Sequence, residues 1–400
     1  MRILICAVEA PLPPTNGFRL LLSALVAELL LRHEVRILAV RAPDQKPSPG
    51  DADWLRLVER PAPGRLADAK ALAAAVVRRR PLTADALADA FDRPLREELE
   101  RFQPDVVHVT SGRLAGLGRA LEGRPSVLAA LDAWHLNVEA RARVAGLLRR
   151  HLLRAEAGRV RRFERSEYGP FGRVVVVSDA DAAALRAVSP GLDVTVVPNG
   201  VDASHYAPDS TVERDERRIV FTGVMSYAPN VLAAEFLARR VFPLVRAAVP
   251  EARLAIVGRK PAPRVAGLAR LDGVEVTGEV PDVVPWLAGS RVYACPMVSG
   301  TGIKNKLLEA MATASPCVAT PLALQGLTAE PERDVLVGAD EEELAAQLVR
   351  VLTDDELAGR LGPAARAYVL ANHDWSAVAR AYEAVYEGVA GPAPALAPAS

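Results

Sequence analysis

The run Gly300-Thr301-Gly302-Ile303-Lys304-Asn305-Lys306-Leu307-Leu308-Glu309-Ala310-Met311 holds the residue types that an anionic nucleotide needs, and it follows an apolar strand pattern over Val292–Cys295. Read as a strand turning into a helix, it places two glycines, two lysines and free backbone amides at a helix N-terminus, where anions bind. Glu309 comes seven residues after Gly302. On a continuous helix that is two turns on the same face, roughly 10 Å along the axis. A diphosphate at the helix mouth and a ribose diol at the carboxylate fit this spacing. Lys304 or Lys306, with the helix dipole, would then take up charge on a leaving diphosphate without a metal, and the sequence leaves open which of the two faces the ligand. The plain alternative is an ordinary strand-to-helix turn with solvated lysines.

Three other places carry chemistry-bearing residues. The loop Val8 to Asn16 follows the first strand and leads through Gly17 into a helix beginning near Phe18, at the strand end where open α/β sheets bind ligands. Asp132 follows the strand pattern Ser126–Leu131, with Trp134 and His135 close behind. It either orients a sugar hydroxyl or assists proton transfer, or else caps a helix or faces solvent. His108, inside a strand pattern, reads as a satisfied core histidine. From Arg141 to Arg165 nine arginines face only Glu156 and Glu164. Such a basic amphipathic stretch fits peripheral contact with an anionic membrane or a lipid-linked acceptor, or else a solvated connecting helix. The six histidines show no metal-site spacing, so no metal and no cofactor is expected. No Gly-x-Gly-x-x-Gly follows the first strand, which argues against a dinucleotide.

The elements that must position these residues are strands alternating with helices, the pattern of parallel sheets wrapped on both faces. In the first half the strand patterns are Arg2–Ala7, Glu34–Val40, Asp105–Val109, Ser126–Leu131 and Arg173–Val177. The second half has Arg218–Thr222, Arg253–Val257, Val274–Thr277, Val292–Cys295, Pro316–Ala319 and Val335–Val337. Two Rossmann-like domains follow, with Pro198-Asn199-Gly200 as the hinge. The expected division is 1–197, 198–373, a C-terminal helix over 374–390 and a disordered Pro/Ala-rich tail over 391–400. Pro43 to Asp53 reads as a polar loop. Lys+Arg and Asp+Glu both total 49, which leaves no basic excess for nucleic acid. The odd, separated Cys6, Cys295 and Cys317 read as buried free thiols in a reducing cytoplasm, and no apolar span is long enough to cross a membrane.

Several segments together resemble glycosyltransferase family 4, whose architecture is GT-B: two Rossmann-like domains with parallel sheets facing across a cleft. They are Met1-Arg2-Ile3-Leu4-Ile5, Asn16-Gly17, Val177-Ser178-Asp179-Ala180-Asp181, Val197-Pro198-Asn199-Gly200-Val201-Asp202, Phe221 to Asn230, Thr277 to Asp282 and Gly300 to Met311. The Gly-x-Gly-Ile-Lys-Asn-Lys-x-Leu-Glu motif points to a subset of that family. The resemblance implies a retaining, metal-independent, hexosyltransferase-like enzyme using a UDP-, GDP- or dTDP-sugar. It implies that Glu309 binds the ribose and that Gly300, Thr301, Gly302, Ile303, Asn305 and Gly223 border the donor. Lys304, Lys306 and Asp132 would carry the catalysis, and Gly17 would lie near the diphosphate and acceptor. Such enzymes build cell-envelope polysaccharides or decorate secondary metabolites, in the cytoplasm or peripherally at the inner membrane.

Three positions depart from the family pattern. Thr301 stands where a second glutamate is usual, Val224-Met225-Ser226-Tyr227 replaces an Arg/Lys pair, and Asp132 stands in place of a histidine. Two other classes therefore stay in view: a nucleotide-sugar epimerase of similar shape, and a non-catalytic nucleotide-sugar-binding homologue.

Overall fold

The computed structural model describes residues 1–13, 17–41, 54–59, 81, 85–143, 146–300 and 302–391. The Pro43–Asp53 loop, Thr301 and nearly all of the 391–400 tail lie outside these residues. The chain divides into two compact units, Met1–Pro198 together with the segment from Val378 onward, and Asn199–Ala377. The last helix, Trp375–Ala390, thus begins in the second unit and continues in the first.

In the first unit, β1 (Arg2–Ala7), β2 (Glu34–Val40), β3 (Leu55–Val58), β4 (Val106–Thr110), β5 (Ser126–Leu131), β6 (Arg173–Val176) and β7 (Val194–Val196) form one parallel sheet. Its order is β3-β2-β1-β4-β5-β6-β7. Ile3, Leu4, Ile5 and Cys6 of the central strand are fully buried. Helices cover both faces, which is why the inner strands read as continuous apolar runs. The sequence reading missed β3 and β7. Both are short margin strands in which Arg56 and Thr195 interrupt the apolar run, so neither carries that signature.

The second unit repeats the plan with β8 (Asp215–Thr222), β9 (Arg253–Val257), β10 (Val274–Gly278), β11 (Ser290–Cys295), β12 (Cys317–Ala319) and β13 (Leu336–Val337). They pair in parallel in the order β10-β9-β8-β11-β12-β13. β8 and β11 each start earlier than their apolar cores, because polar residues at Asp215 and Ser290 are already paired across the sheet. Helices behind the sheet are capped by their own sequence. Asp340 accepts from the Glu343 amide at 2.9 Å and Asp354 from the Leu357 amide at 2.9 Å. The three cysteines are free, buried and in strands, as their apolar surroundings indicated.

His108 is a core histidine. Its Nδ1 lies 2.5 Å from the Tyr386 hydroxyl on the last helix, and its ring stacks on Tyr382 with centroids 5.3 Å apart. Burial pushes the imidazole down to about 4. The folded state therefore prefers the neutral ring, and this stability is complete above the ordinary histidine pKa and lost as the pH falls toward 4. Tyr386→Phe should leave Nδ1 without its partner and cost about 1–3 kcal/mol in denaturant unfolding at neutral pH. An unchanged unfolding midpoint would show that the helix docks without this bond.

Candidate functional site

In the second unit the strand order reverses between β8 and β11. Ligands of open parallel sheets bind outside the carboxyl ends of the strands at such a reversal. The segments leaving those two strand ends carry Gly223 and the Gly300–Glu309 run.

A side chain at Gly223 has no room, since a Cβ there would lie 2.7 Å from Asn230 Nδ2 and 3.1 Å from Lys306 Nζ. Lys306 donates to Asn230 Oδ1, and Asn230 Nδ2 donates to the Val224 carbonyl at 3.0 Å. The Lys306 ammonium also sits 5.1 Å from the centre of the Phe221 ring. Lys304, 7% exposed, donates to the Gly302 carbonyl. Among the described residues neither lysine forms an ion pair. Burial lowers both their pKa values, most directly because the charged form is desolvated. The site therefore holds two desolvated ammonium groups with no carboxylate in ion-pair contact among the described residues, while the Glu309 carboxylate acts on Lys306 from further off.

The helix expected from Gly302 begins instead at Asn305. Gly300 and Gly302 have φ of +105° and +71°, and Lys304 has φ −92° and ψ 84°, none of them helical. Glu309 therefore stands one turn into the helix, and the two-turn, 10 Å spacing does not apply. Burial raises the Glu309 carboxyl, while Lys306, Tyr206 and His205 pull it down. The Tyr206 hydroxyl turns toward that carboxylate, and burial together with this charge pushes the phenol up. Arg366 bonds the carbonyls of Tyr206, at 3.1 Å, and Ala312, so the Tyr206 turn is tied to the helix that carries Glu309. Asn305 Oδ1 accepts from Asn199 Nδ2 at 3.3 Å, and Ile303 packs at the edge of the core.

Asn230, Tyr206 and Gly258 were not singled out by sequence. A Cβ at Gly258 would lie 1.7 Å from the Gly223 carbonyl oxygen, so the ends of β8 and β9 touch only because residue 258 is glycine. A glycine directly after the apolar run Val257 was the available signal.

Gly17 and Asp132 belong to the first unit. Gly17 is the first residue of the helix Gly17–Leu30. Asp132 follows a register irregularity at the end of β5, where Leu131 takes φ +68°. The sequence left capping open, but Asp132 is not the cap. The Ala133 amide donates to Asp181 Oδ1 at 3.0 Å and the His135 amide to Glu164 Oε1 at 3.2 Å. His135 Nδ1 also meets Glu164 Oε2 at 2.6 Å. Asp132 instead accepts from Asn137 Nδ2 at 2.6 Å. Burial pushes its carboxyl up to about 6; Asn137 opposes this, and Asp181 and Glu164 add to it.

Two parallel α/β units, each with a strand reversal near the middle of its sheet, are the GT-B architecture. Solved structures agree with that fold. Sucrose-phosphate synthase from Thermosynechococcus elongatus superposes with a TM-score of 0.71 at 17% identity over 97% of this chain and 99% of that one. Anabaena HepE in complex with UDP and glucose gives 0.64 at 14% identity over 97% and 100%. WaaG, a glycosyltransferase involved in lipopolysaccharide biosynthesis, gives 0.65 at 14% identity over 98% and 100%.

Family models place the chain more closely. Residues 16–205 match the model described as Glycosyltransferase Family 4, and residues 216–354 match Glycosyl transferases group 1. The chain is similar to both, each over less than half of its length. The phosphatidyl-myo-inositol mannosyltransferase of Mycobacterium tuberculosis is 31% identical over 233 residues, and that of Mycobacterium leprae 30% over 228. These matches take in 55% of this chain and 60% or 59% of the relatives' length.

A raised carboxyl pKa means that the folded state favours protonated Asp132, so its stabilising share is present at low pH and is lost as the pH rises through about 6. Asp132→Asn should therefore add on the order of 2 kcal/mol to the unfolding free energy at pH 8, read as a higher melting temperature, and leave stability unchanged near pH 4. A pH-independent difference between variant and native protein would contradict this environment for Asp132.

Proposed function

We propose that this protein transfers a sugar from a nucleotide-diphosphate sugar to an acceptor hydroxyl, with retention at the anomeric carbon and without a required metal. The observation that carries the reading is the pair of desolvated ammonium groups of Lys304 and Lys306 at the β8/β11 reversal, neither in an ion pair among the described residues, with the Glu309 carboxylate one turn up the helix. As the bond from the anomeric carbon to the diphosphate breaks, negative charge collects on the leaving oxygen. Lysines already stripped of water stabilise that charge with little reorganisation. Glu309 is assigned the ribose hydroxyls; Gly223, Gly300 and Gly302 are assigned the backbone that borders the donor. Thr301, Ile303 and Asn305 belong to the same donor segment. Asp132 is assigned the proton released by the acceptor hydroxyl, and Gly17 the start of the acceptor-side helix.

The activities of similar proteins support this reading. HepE was solved with UDP and glucose, and the curated mycobacterial relatives are named for mannosyl transfer to a phosphatidyl-inositol. A UDP-, GDP- or dTDP-sugar donor and an acceptor carried on a lipid follow, with the protein working peripherally at the cytoplasmic face of a membrane. Cell-envelope glycan assembly is the matching setting. Among the described residues no helix is long and apolar enough to cross a membrane.

Incubation with UDP-, GDP- and dTDP-sugars should release nucleoside diphosphate only when a lipid-linked acceptor is present. Isomerisation of the donor alone would mark an epimerase, and binding without turnover a binding protein. Lys306→Ala should lower turnover by about 100-fold while donor affinity falls less, since the charge it meets develops on departure. Lys304→Ala should act in the same direction. Native turnover in both variants would remove the lysines from the mechanism.

A further inference from the structure

The arginine-rich stretch of the first unit is two helices rather than one, Trp134–Arg143 and Leu147–Glu167. Glu164, near the end of the second, is 1% exposed and among the described residues pairs with none of those arginines. It reaches back 29 residues to His135, into the turn that carries Asp132.

That turn differs from the other aspartate turns of the chain. An aspartate ahead of a turn or helix ordinarily accepts from the amides two and three residues on. Asp202 accepts from the amides of Ser204 at 3.1 Å and His205 at 2.9 Å, and Asp209 from that of Thr211 at 2.9 Å. Those bonds hold both carboxyls low, at Asp202 against the burial that raises it. Among the described residues Asp132 accepts from no amide of its own turn. The His135 amide, three residues on, donates to Glu164 Oε1 at 3.2 Å, and the Ala133 amide donates to Asp181 Oδ1 at 3.0 Å.

Both remote carboxylates are themselves held. Glu164 Oε2 meets His135 Nδ1 at 2.6 Å, and Asp181, on the helix Asp179–Val188, accepts from the Ser178 hydroxyl. On the other side of Asp132, Leu131 takes φ +68°, and its carbonyl accepts from the Val177 amide at 2.8 Å. A leucine keeps such a left-handed conformation only where its surroundings over-determine it. The turn is therefore fixed on both sides of Asp132, by three other elements.

The geometry points to Glu164 and Asp181 as the positioning residues of Asp132: they take the amides of its turn and leave its carboxylate to accept a proton. This rests on the proposed role of Asp132 in transfer. A carboxylate bonded to its own helix amides is a weaker base, because those bonds stabilise the charged form. The groups that face Asp132 are Asn137 and His135 on its own helix, Arg113 after β4, Glu164 and Tyr168 at the end of the second helix, and Asp181. Asn137 and Arg113 favour its charge, while Asp181 and Glu164 oppose it. The Tyr168 hydroxyl is fully buried and has no hydrogen-bond partner among the described residues, so it does not compensate Asp132. If Glu164 served only to neutralise His135 in the core, its loss would leave the titration of Asp132 where it is.

The test reads Asp132 through stability, so it decides whether or not sugar is transferred. In the native background Asp132→Asn raises the melting temperature at pH 8 and leaves it unchanged near pH 4. Glu164→Gln loses the charge but keeps an oxygen for the His135 amide, and more than half of the pH 8 gain should remain. Glu164→Ala frees that amide for Asp132, whose midpoint should fall from about 6 by about 2 pH units, abolishing the gain. Where acceptor-dependent release of nucleoside diphosphate is measured, Glu164→Ala should move the acid limb of kcat/KM down by the same interval and lower its plateau by about tenfold, with Glu164→Gln restoring both. A gain that survives Glu164→Ala, or that Glu164→Gln removes as fully, would overturn the proposal. If Glu164→Ala fails to fold, Asp181→Ala against Asp181→Asn decides by the same rule at the Ala133 amide. Absence of transfer, with the gains as expected, would strike the transfer reading and not the placement of Asp132.

Discussion

A desolvated ammonium without an ion-pair partner is expensive, and among its described residues the second unit contains two of them side by side. Desolvating an ion costs several kcal/mol, which a side-chain amide, an aromatic face or a carbonyl offsets only in part. Lys306 has Asn230 and Phe221, and Lys304 has the Gly302 carbonyl. The arrangement makes physical sense as a site completed by an anion. Much of the surrounding structure holds it in place. Gly223 and Gly258 have no side chains, so the ends of β8 and β9 touch and Lys306 and Asn230 can close over them. Gly300 and Gly302 take conformations that other residues avoid, delaying the helix until Asn305 and leaving both lysines at its mouth.

The sheets explain why the site is where it is. In each unit the chain starts near the middle of the sheet, builds outward one way, then returns to build the other way. The segments that follow the two central strands must diverge to opposite faces there, which opens a crevice lined by backbone amides. The same reversal occurs in the first unit between β1 and β4, beside the segment that leads to Gly17. Asp132 is set one strand further along, where the bulge at Leu131 and the capping roles of Asp181 and Glu164 leave its carboxyl free of the helix end.

The core of this architecture was readable from sequence because strands buried on both faces are unbroken Val, Ile and Leu runs. Margin strands lack that signal, which is why Leu55–Val58 and Val194–Val196 escaped notice. The Gly-Lys-Lys-Glu grouping was also legible, since those residues are local to one turn. Its geometry was not. Assuming one continuous helix from Gly302 misplaced Glu309 by a turn, because positive φ at a glycine leaves no trace in the letters around it. Asn230 and Tyr206 lie roughly 75 and 100 residues from their partners, and a contact at that separation is set by the fold rather than by any local code.

On the proposed reading, Lys304 and Lys306 meet the diphosphate of the donor. Calorimetric titration with UDP and UMP, and with GDP and GMP, compares ligands that differ by one phosphate. The native protein should prefer one diphosphate to its monophosphate by at least about tenfold, and Lys306→Met should largely abolish this preference while leaving monophosphate affinity nearly unchanged. Equal affinity for diphosphate and monophosphate in the native protein, or a preference that survives in Lys306→Met, would contradict it.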